Sequence, residues 1–228
     1  MNSDWNILGP AGLQFFGEIT ATTTHELNNA IGIINENAGL LEDLGGMAKQ
    51  GTQPDIDRWI KICQKITAQV QRTHKTINTL NNFAHSADRS MARINPDSLL
   101  SLIISLSTSI LAEKNVTAHF MPTQKPMEIY TCPFLFLHLM GNCLVYARDH
   151  VTQDRKIIIR TRKDNGKSLI SFSGIWNEQI PGEKERTFPE KSDQELMNQL
   201  DATMEFQTDQ NSLIISMDTD KTAKENNG

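Results

Sequence analysis

The chain has little of several features that mark whole classes of protein. Its 228 residues include three cysteines with no C-x-x-C spacing, which argues against both a disulfide framework and a zinc site. Basic residues number 22 against 27 acidic ones, a formal net charge of −5, so a nucleic-acid-binding surface is not expected. The cysteines are Cys63, Cys132 and Cys143.

Long hydrophobic runs are also missing. The most apolar segments, 99–106 and 134–140, are far shorter than the roughly 20 residues that a membrane-spanning helix needs. The first five residues lack the basic and apolar regions of a signal peptide, so we expect a cytoplasmic protein. With 38% hydrophobic residues, the chain can still build a sizeable core, in one large domain or two small ones.

The first part of the chain predicts two long helices joined by a short loop. One pattern extends from about Leu13 to Leu44, after a lead ending in Gly9-Pro10-Ala11, and Gly45-Gly46 is expected to end it. The second pattern starts near Asp55. Apolar positions alternate at spacings of four and three in both helices: Leu27, Ile31, Ile34, Ala38 and Leu41, then Trp59, Cys63, Ile66, Val70, Thr73, Ile77, Leu80 and Ala84.

Two such helices pack antiparallel as a hairpin, but a hairpin alone cannot cover both apolar seams. The economical solution is a homodimer that completes a four-helix bundle.

After residue 90 the pattern changes to short helices and strands. We predict helices at 96–111, 134–150 and 195–200, and a strand hairpin that turns at Asp164-Asn165-Gly166. Further strands are predicted at 116–120, 127–130, 203–207 and 212–217. The fold class is α+β, a helical hairpin at 1–90 followed by a small α/β sandwich at 91–218. A disordered tail is predicted at 219–228.

The first helix carries the candidate chemistry, in His25, Glu26 and Asn29. His25 and Asn29 are four residues apart and therefore share a helix face, whereas Glu26 lies about 100° around the helix from His25. A neutral imidazole is a nucleophile, although an isolated helical histidine is more often a solvated or structural residue. An asparagine at the fourth position excludes an H-E-x-x-H zinc site.

The segment His25-Glu26-Leu27-Asn28-Asn29 resembles the H-box of bacterial sensor histidine kinases. The hairpin resembles the dimerisation and phosphoacceptor domain of that family, and the second half resembles its ATP-binding domain. The resemblance implies that His25 accepts a phosphoryl group. Residues 139–147 resemble the N-box of the family, in which two asparagines four apart hold magnesium and nucleotide.

The second half departs from the family at each nucleotide element. Asn142 fits the first N-box asparagine, but Tyr146 stands in place of the second. The D-x-G-x-G loop corresponds to 171–176, which has one glycine, Gly174, and no acid. The glycine-rich lid is absent, and such a loop needs glycines because backbone amides must approach the phosphates closely. We expect Asn142 to be vestigial, a helix residue with a satisfied amide, and Trp176 to fill the vacated pocket.

A phosphoacceptor helix joined to a degenerate ATP-binding domain resembles the ChpT-type histidine phosphotransferases. That resemblance implies transfer of phosphoryl groups between His25 and receiver-domain aspartates, with no cofactor of its own and Mg²⁺ supplied by the receiver. Response-regulator receivers are the expected partners, and an upstream hybrid histidine kinase is a candidate partner. The alternatives are a non-catalytic pseudokinase that binds and regulates such proteins, or a divergent histidine kinase that still binds ATP.

Each residue near His25 has an expected role. Glu26 is placed to accept a hydrogen bond from the second ring nitrogen and to stabilise the phosphohistidine. Asn29 is a candidate for orienting a water against a receiver phosphate. The flank formed by Ala30, Ile33 and Asn37 is expected to be exposed and to dock the receiver.

Overall fold

The structure is a computed structural model that describes residues 5–53, 55–123, 127–176 and 188–219. The chain divides into two compact units, one formed by Ile19–Asn82 and one by the residues before Ile19 together with those from Phe83 onward. The fold is α+β, as predicted: a long helical hairpin followed by a five-stranded sheet with helices. The second unit thus includes the start of the first helix and the end of the second.

The first helix, α1, is longer than its sequence pattern predicted and covers Trp5–Lys49. Gly45-Gly46 does not end the helix, which continues to Lys49. It is followed by Gly51, whose positive φ is the left-handed conformation that glycine favours after the last turn of a helix. The predicted lead through Pro10 is also helical. Pro10 lies inside the helix and cannot donate a hydrogen bond to the carbonyl of Asn6. Burial of Phe15 stabilises this end of the helix.

The second helix, α2, covers Ile56–His85. The carboxylate of Asp55 accepts a hydrogen bond from the backbone N–H of Arg58 at 3.0 Å, which caps the helix start. This agrees with the predicted start near Asp55.

The apolar seams of the hairpin are only partly those predicted from the sequence. In α1 the buried line is Thr23, Ala30 and Asn37, at intervals of seven residues, with Leu27, Ile34 and Leu41 half-buried beside it. Each helix also leaves an apolar stripe exposed, which we call its outer stripe. The outer stripe of α1 is Ile31 and Ala38, and that of α2 is Ile56, Cys63, Val70 and Ile77.

The described residues of the second unit form the strands β1 (Ala92–Ile94), β2 (Thr117–Met121), β3 (Ile129–Thr131), β4 (Lys156–Asp164), β5 (Lys167–Ser173), β6 (Ala202–Gln207) and β7 (Ser212–Asp218). Five of them form one sheet in the order β2-β4-β5-β7-β6, in which β2 and β4 are parallel and the other pairs antiparallel. The strands β1 and β3 pair separately as an antiparallel two-stranded sheet. The helices are α3 (Pro96–Leu106), α4 (Thr108–Ala112), α5 (Pro133–Asp149) and α6 (Lys191–Leu200).

The core of this unit lies between α5 and one face of the sheet. Alternate residues of β4, β5 and β7 are buried, as expected for a sheet with one covered face. The predicted turn between β4 and β5 is confirmed, because Asn165 and Gly166 both have positive φ, as a two-residue hairpin requires.

An aromatic cluster joins the ends of α1 and α2 to α5. Phe83 is fully buried with its ring centroid 5.6 Å from that of Phe15. The ring of His138 stacks on Phe15 at 4.5 Å with an interplanar angle of 9°, and Phe134 lies beside both.

Thr219, the first residue of the predicted tail, is tied to the β4–β5 turn. The hydroxyl of Thr219 donates to the carbonyl of Gly166 at 2.6 Å, and its backbone N–H donates to the same carbonyl. Residues 220–228 lie outside the described part of the chain. Among the helices of the described residues, none is both long enough and apolar enough to cross a membrane.

Candidate functional site

His25 lies on the solvent-facing side of α1. Thr23 and Ala30 are buried in the hairpin, and at 100° per residue they lie roughly 140–160° around the helix from His25. His25 and Asn29 are both exposed. The histidine is therefore opposite the packed face, where another protein could reach it.

The structure brings Asn29 to the His25 ring. The amide Nδ2 of Asn29 lies 3.3 Å from Nδ1 of His25, one helical turn along the same face. Within the described residues Glu26 makes no hydrogen bond to His25, and its side chain is half-buried. The amide thus occupies the position that was expected for the Glu26 carboxylate, because residues at i and i+4 meet on a helix whereas neighbours in sequence diverge.

The predicted docking flank is only partly exposed. Ala30 and Asn37 are 5% and 7% exposed, so the prediction that they form an open surface is wrong. Both lie on the buried line of the hairpin, and the Asn37 amide donates to the carbonyl of Ile33 at 2.7 Å. Ile33 is 38% exposed, as expected.

An apolar ridge follows His25 along the exposed side of α1. Ile33, Leu40 and Met47 are spaced seven residues apart and are each more than a third exposed. Beside each lies a glycine, at 32, 39 and 46, and a Cβ built on any of these glycines would meet no atom within 4 Å. We call this surface, Ile33, Leu40 and Met47 with the adjacent glycines, the α1 ridge. The helix backbone next to each of these apolar side chains is therefore not covered by another side chain.

In the second unit, the side chain of Asn142 is already engaged. Its Nδ2 donates to Oδ1 of Asp193 at 2.7 Å. Asp193 is 3% exposed, and its Oδ2 accepts from the backbone N–H of Glu190 within a capping box at the start of α6. The amide nitrogen of Asn142 thus has a partner within the chain. The carboxylate of Asp193, together with burial, raises the pKa of the Cys143 thiol well above its usual value, burial being the larger cause.

Tyr146, which stands at the second N-box position, is covered by aromatic rings. Its ring stacks on Phe188 at 4.5 Å and on His150 at 4.0 Å, and Phe206 meets it edge-on at 5.5 Å. Burial raises the pKa of Tyr146 above its ordinary value. Asp193 and Phe188, which complete these contacts, were not among the residues singled out from the sequence.

The loop after β5 has a structural reason for its glycine. Gly174 has a φ of +88°, and a Cβ there would collide with the carbonyl of Lys156. Trp176 is 46% exposed, so the prediction that it fills the vacated pocket is wrong; the ring of Tyr146 is 7% exposed, and the rings that contact it are half-buried. The segment 177–187, where the lid would lie, is outside the described residues.

Comparison with known proteins finds no matching family model and no matching curated protein. Solved structures of histidine kinases are similar at low identity. The histidine kinase AdeS of Acinetobacter baumannii is 12% identical with a TM-score of 0.47, over 86% of this chain and 98% of that one. The histidine kinase ThkA, solved in complex with the response regulator TrrA, is 14% identical with a TM-score of 0.47, over 91% of this chain and 63% of that one.

Full-length ShkA, solved in complex with AMPPNP, is 12% identical with a TM-score of 0.46, over 85% of this chain and 46% of that one. These likenesses concern the fold alone.

Proposed function

We propose that the chain is a histidine phosphotransferase of a two-component phosphorelay, in which His25 exchanges a phosphoryl group with receiver-domain aspartates. The observation that carries the proposal is the placement of His25: a solvent-exposed imidazole opposite the packed face of a long helix, with a polar amide at one ring nitrogen. A ring in that position leaves the edge that carries Nε2 open to an approaching receiver.

The reaction is a displacement at phosphorus. The lone pair of Nε2 forms the N–P bond while the P–O bond to the receiver aspartate breaks, and the electron pair stays on the departing carboxylate. Mg²⁺, held by the receiver, stabilises negative charge on the phosphoryl oxygens. The neighbouring carboxylate of Glu26 adds negative charge beside a ring that becomes positive. Asn29 is the candidate for orienting water when the receiver phosphate is hydrolysed.

The α1 ridge is the proposed docking surface for the receiver. The ridge begins within two turns of His25, and it includes Ile33, which the sequence predicts to contact the receiver. Glycines beside its apolar residues allow a partner helix to approach the backbone closely, because no side chain stands in the way.

We also propose that the chain works as a homodimer through its outer stripes. An exposed line of Ile56, Cys63, Val70 and Ile77 at intervals of seven residues is the pattern of a coiled-coil seam. Val70→Glu should convert a dimer to a monomer in light scattering after size exclusion, whereas Gln71→Glu, at an exposed neighbouring position, should leave the mass unchanged. A monomeric wild-type protein would contradict the dimer.

We propose that the second unit does not bind ATP and that the phosphoryl donor is another protein. Asn142 is bonded to Asp193, and Tyr146 is covered by Phe188 and Phe206. Both N-box positions are thus occupied by contacts within the chain.

The test is to incubate the protein with receiver domains that carry radiolabelled aspartyl phosphate. The wild type should acquire an acid-labile, base-stable label, and His25→Gln should abolish it. His74→Gln removes an exposed histidine from α2 and is the matched control, which should retain the label. A protein that binds a receiver without acquiring label would instead be a regulatory pseudokinase, and label transferred directly from ATP would make it a kinase.

A further inference from the structure

The second unit contains an apolar cleft of about 980 Å³ next to the aromatic cluster. Four parts of the chain line it: the start of α1, the segment that follows α2, the start of α5 and the last turn of α6. All of these parts belong to the second unit. Small-molecule sites in proteins are concave, mostly apolar and roughly 300–1,000 Å³ in volume, so the cleft has the size and character of such a site.

Two walls of the cleft have little bulk. Gly9 and Gly12 stand on the α1 wall, and a Cβ built on Gly12 would lie 3.3 Å from the ring of Phe134. Ala87 and Ser90 line the wall that follows α2. Small residues on both walls therefore leave room beside the aromatic rings.

Large apolar side chains in the cleft remain partly exposed. Phe134 and Leu135 of α5 are half-buried, as is Phe16 of α1, and Leu13 is 74% exposed. Removing apolar surface of this kind from water is favourable, so burial would hold an apolar chain that enters the cleft.

Arg89 is the charged residue of the lining. Its side chain is exposed, and no hydrogen bond or ion pair of its guanidinium is found within the described residues. The other lining residues carry no formal charge. A guanidinium binds a carboxylate through two parallel N–H···O bonds, so the cleft joins apolar walls to one anion-binding group.

We propose that the cleft binds a free carboxylic acid with a medium-length alkyl chain, the chain packed against Phe16 and Phe134 and the carboxylate paired with Arg89. Arg89 determines the sign of the head group, because it would repel a cationic ligand and a neutral ligand would leave its charge unpaired. The cleft shares no residue with the surface around His25, so the inference does not depend on the proposed function.

The thiol of Cys132 reports occupancy of the cleft. Cys132 is a half-buried free cysteine of the lining, whereas Cys63 is exposed on α2 and Cys143 is fully buried. The whole chain is treated with iodoacetamide, with and without decanoate below its micelle concentration, and alkylation of each cysteine is followed by peptide mass spectrometry. Decanoate should slow alkylation of Cys132 in a saturable manner and leave the rate at Cys63 unchanged. Equal slowing at both cysteines, or no slowing at Cys132, overturns the inference.

Isothermal titration calorimetry tests the role of the charge. Arg89→Gln should bind decanoate about fivefold more weakly than wild type, the effect of an exposed ion pair, whereas Arg160→Gln, at an exposed position of β4, should bind as wild type does. Decanol has the same chain and no charge, and it should not distinguish wild type from Arg89→Gln. Equal affinity of wild type and Arg89→Gln for decanoate contradicts the assignment of the head group.

Chain length tests the apolar part of the site. Octanoate has two methylenes fewer than decanoate and should bind wild type about tenfold more weakly, because each methylene is buried in the cleft. Equal affinities for the two acids would place the chain outside the cleft and overturn the inference.

A substitution that fills the cleft separates this site from general apolar association. Ala87→Trp should abolish the protection of Cys132 by decanoate, whereas Ala112→Trp, exposed at the end of α4, should retain it. Circular dichroism shows whether each variant is folded. Protection that persists in folded Ala87→Trp overturns the inference, and if that variant does not fold, Arg89→Gln decides.

Discussion

Protonation of His138 should destabilise the second unit as the pH falls below 6.5. The ring is 4% exposed, stacked on Phe15 and flanked by Phe134, and its Nδ1 has no hydrogen-bond partner within the described residues. Burial without a polar partner lowers its pKa from 6.5 to about 4. The folded protein therefore holds the His138 ring in its neutral form.

The sign of the pH effect follows from this lowered pKa. Between pH 6.5 and pH 4 the unfolded chain binds a proton at this position and the folded chain does not. The contribution of neutral His138 to the free energy of unfolding is therefore complete above pH 6.5 and is lost as the pH falls toward 4. From pH 7 the loss should be about 2 kcal/mol at pH 5 and about 3 kcal/mol at pH 4, at 1.36 kcal/mol per pKa unit.

The assay is urea unfolding of wild type and His138→Phe at pH 7, 5 and 4, followed by tryptophan fluorescence and circular dichroism. Phenylalanine keeps an aromatic ring in the stack and cannot be protonated, so the variant should lack this part of the pH dependence. His74→Phe, at an exposed position of α2, should follow the wild type. Parallel stability curves for wild type and His138→Phe would refute the reasoning, as would titration of His138 near pH 6.5 by NMR.

Two further predictions concern the second unit. Gly174→Ala should destabilise it more than Gly166→Ala in the same unfolding assay, because both glycines have positive φ but only Gly174 has no room for a Cβ; equal losses would contradict this. Asn142→Asp should place a second carboxylate against buried Asp193 and so raise the pKa of one of the two groups. Because the folded variant then holds a proton that the unfolded chain releases, its free energy of unfolding relative to wild type should fall as the pH rises above about 4. A pH-independent difference between that variant and wild type would count against the contact.

The sequence predicts the two long helices of the hairpin but does not predict which side of each helix is buried. Spacings of four and three identify long helices reliably because they match the helical repeat. They do not say which of several adjacent apolar lines faces the partner helix. Ile31 was placed in the same seam as Leu27, whereas the structure buries Ala30 and leaves Ile31 exposed.

The helix ends show a similar limit. A glycine within a helix costs only about 1 kcal/mol relative to alanine, so packing along the hairpin can carry a helix through Gly45-Gly46. Gly51 differs because its backbone is left-handed. A sequence shows the glycines but not their φ angles.

The candidate site was predictable where it depends on local spacing and not where it depends on distant contacts. The pairing of His25 with Asn29 follows from their separation of four residues. The partner of Asn142 lies 51 residues away on α6, and no local pattern points to Asp193. The capping box that Asp193 forms with Glu190 is a local signal, but it indicates a helix start and does not indicate contact with α5.

The most direct measurement is the transfer of phosphate to His25 from a phosphorylated receiver, in the absence of ATP. We predict that wild type and His74→Gln become labelled within the lifetime of the receiver phosphate, that His25→Gln does not, and that radiolabelled ATP alone labels none of them. Label that persists in His25→Gln, or label that requires ATP, would contradict it.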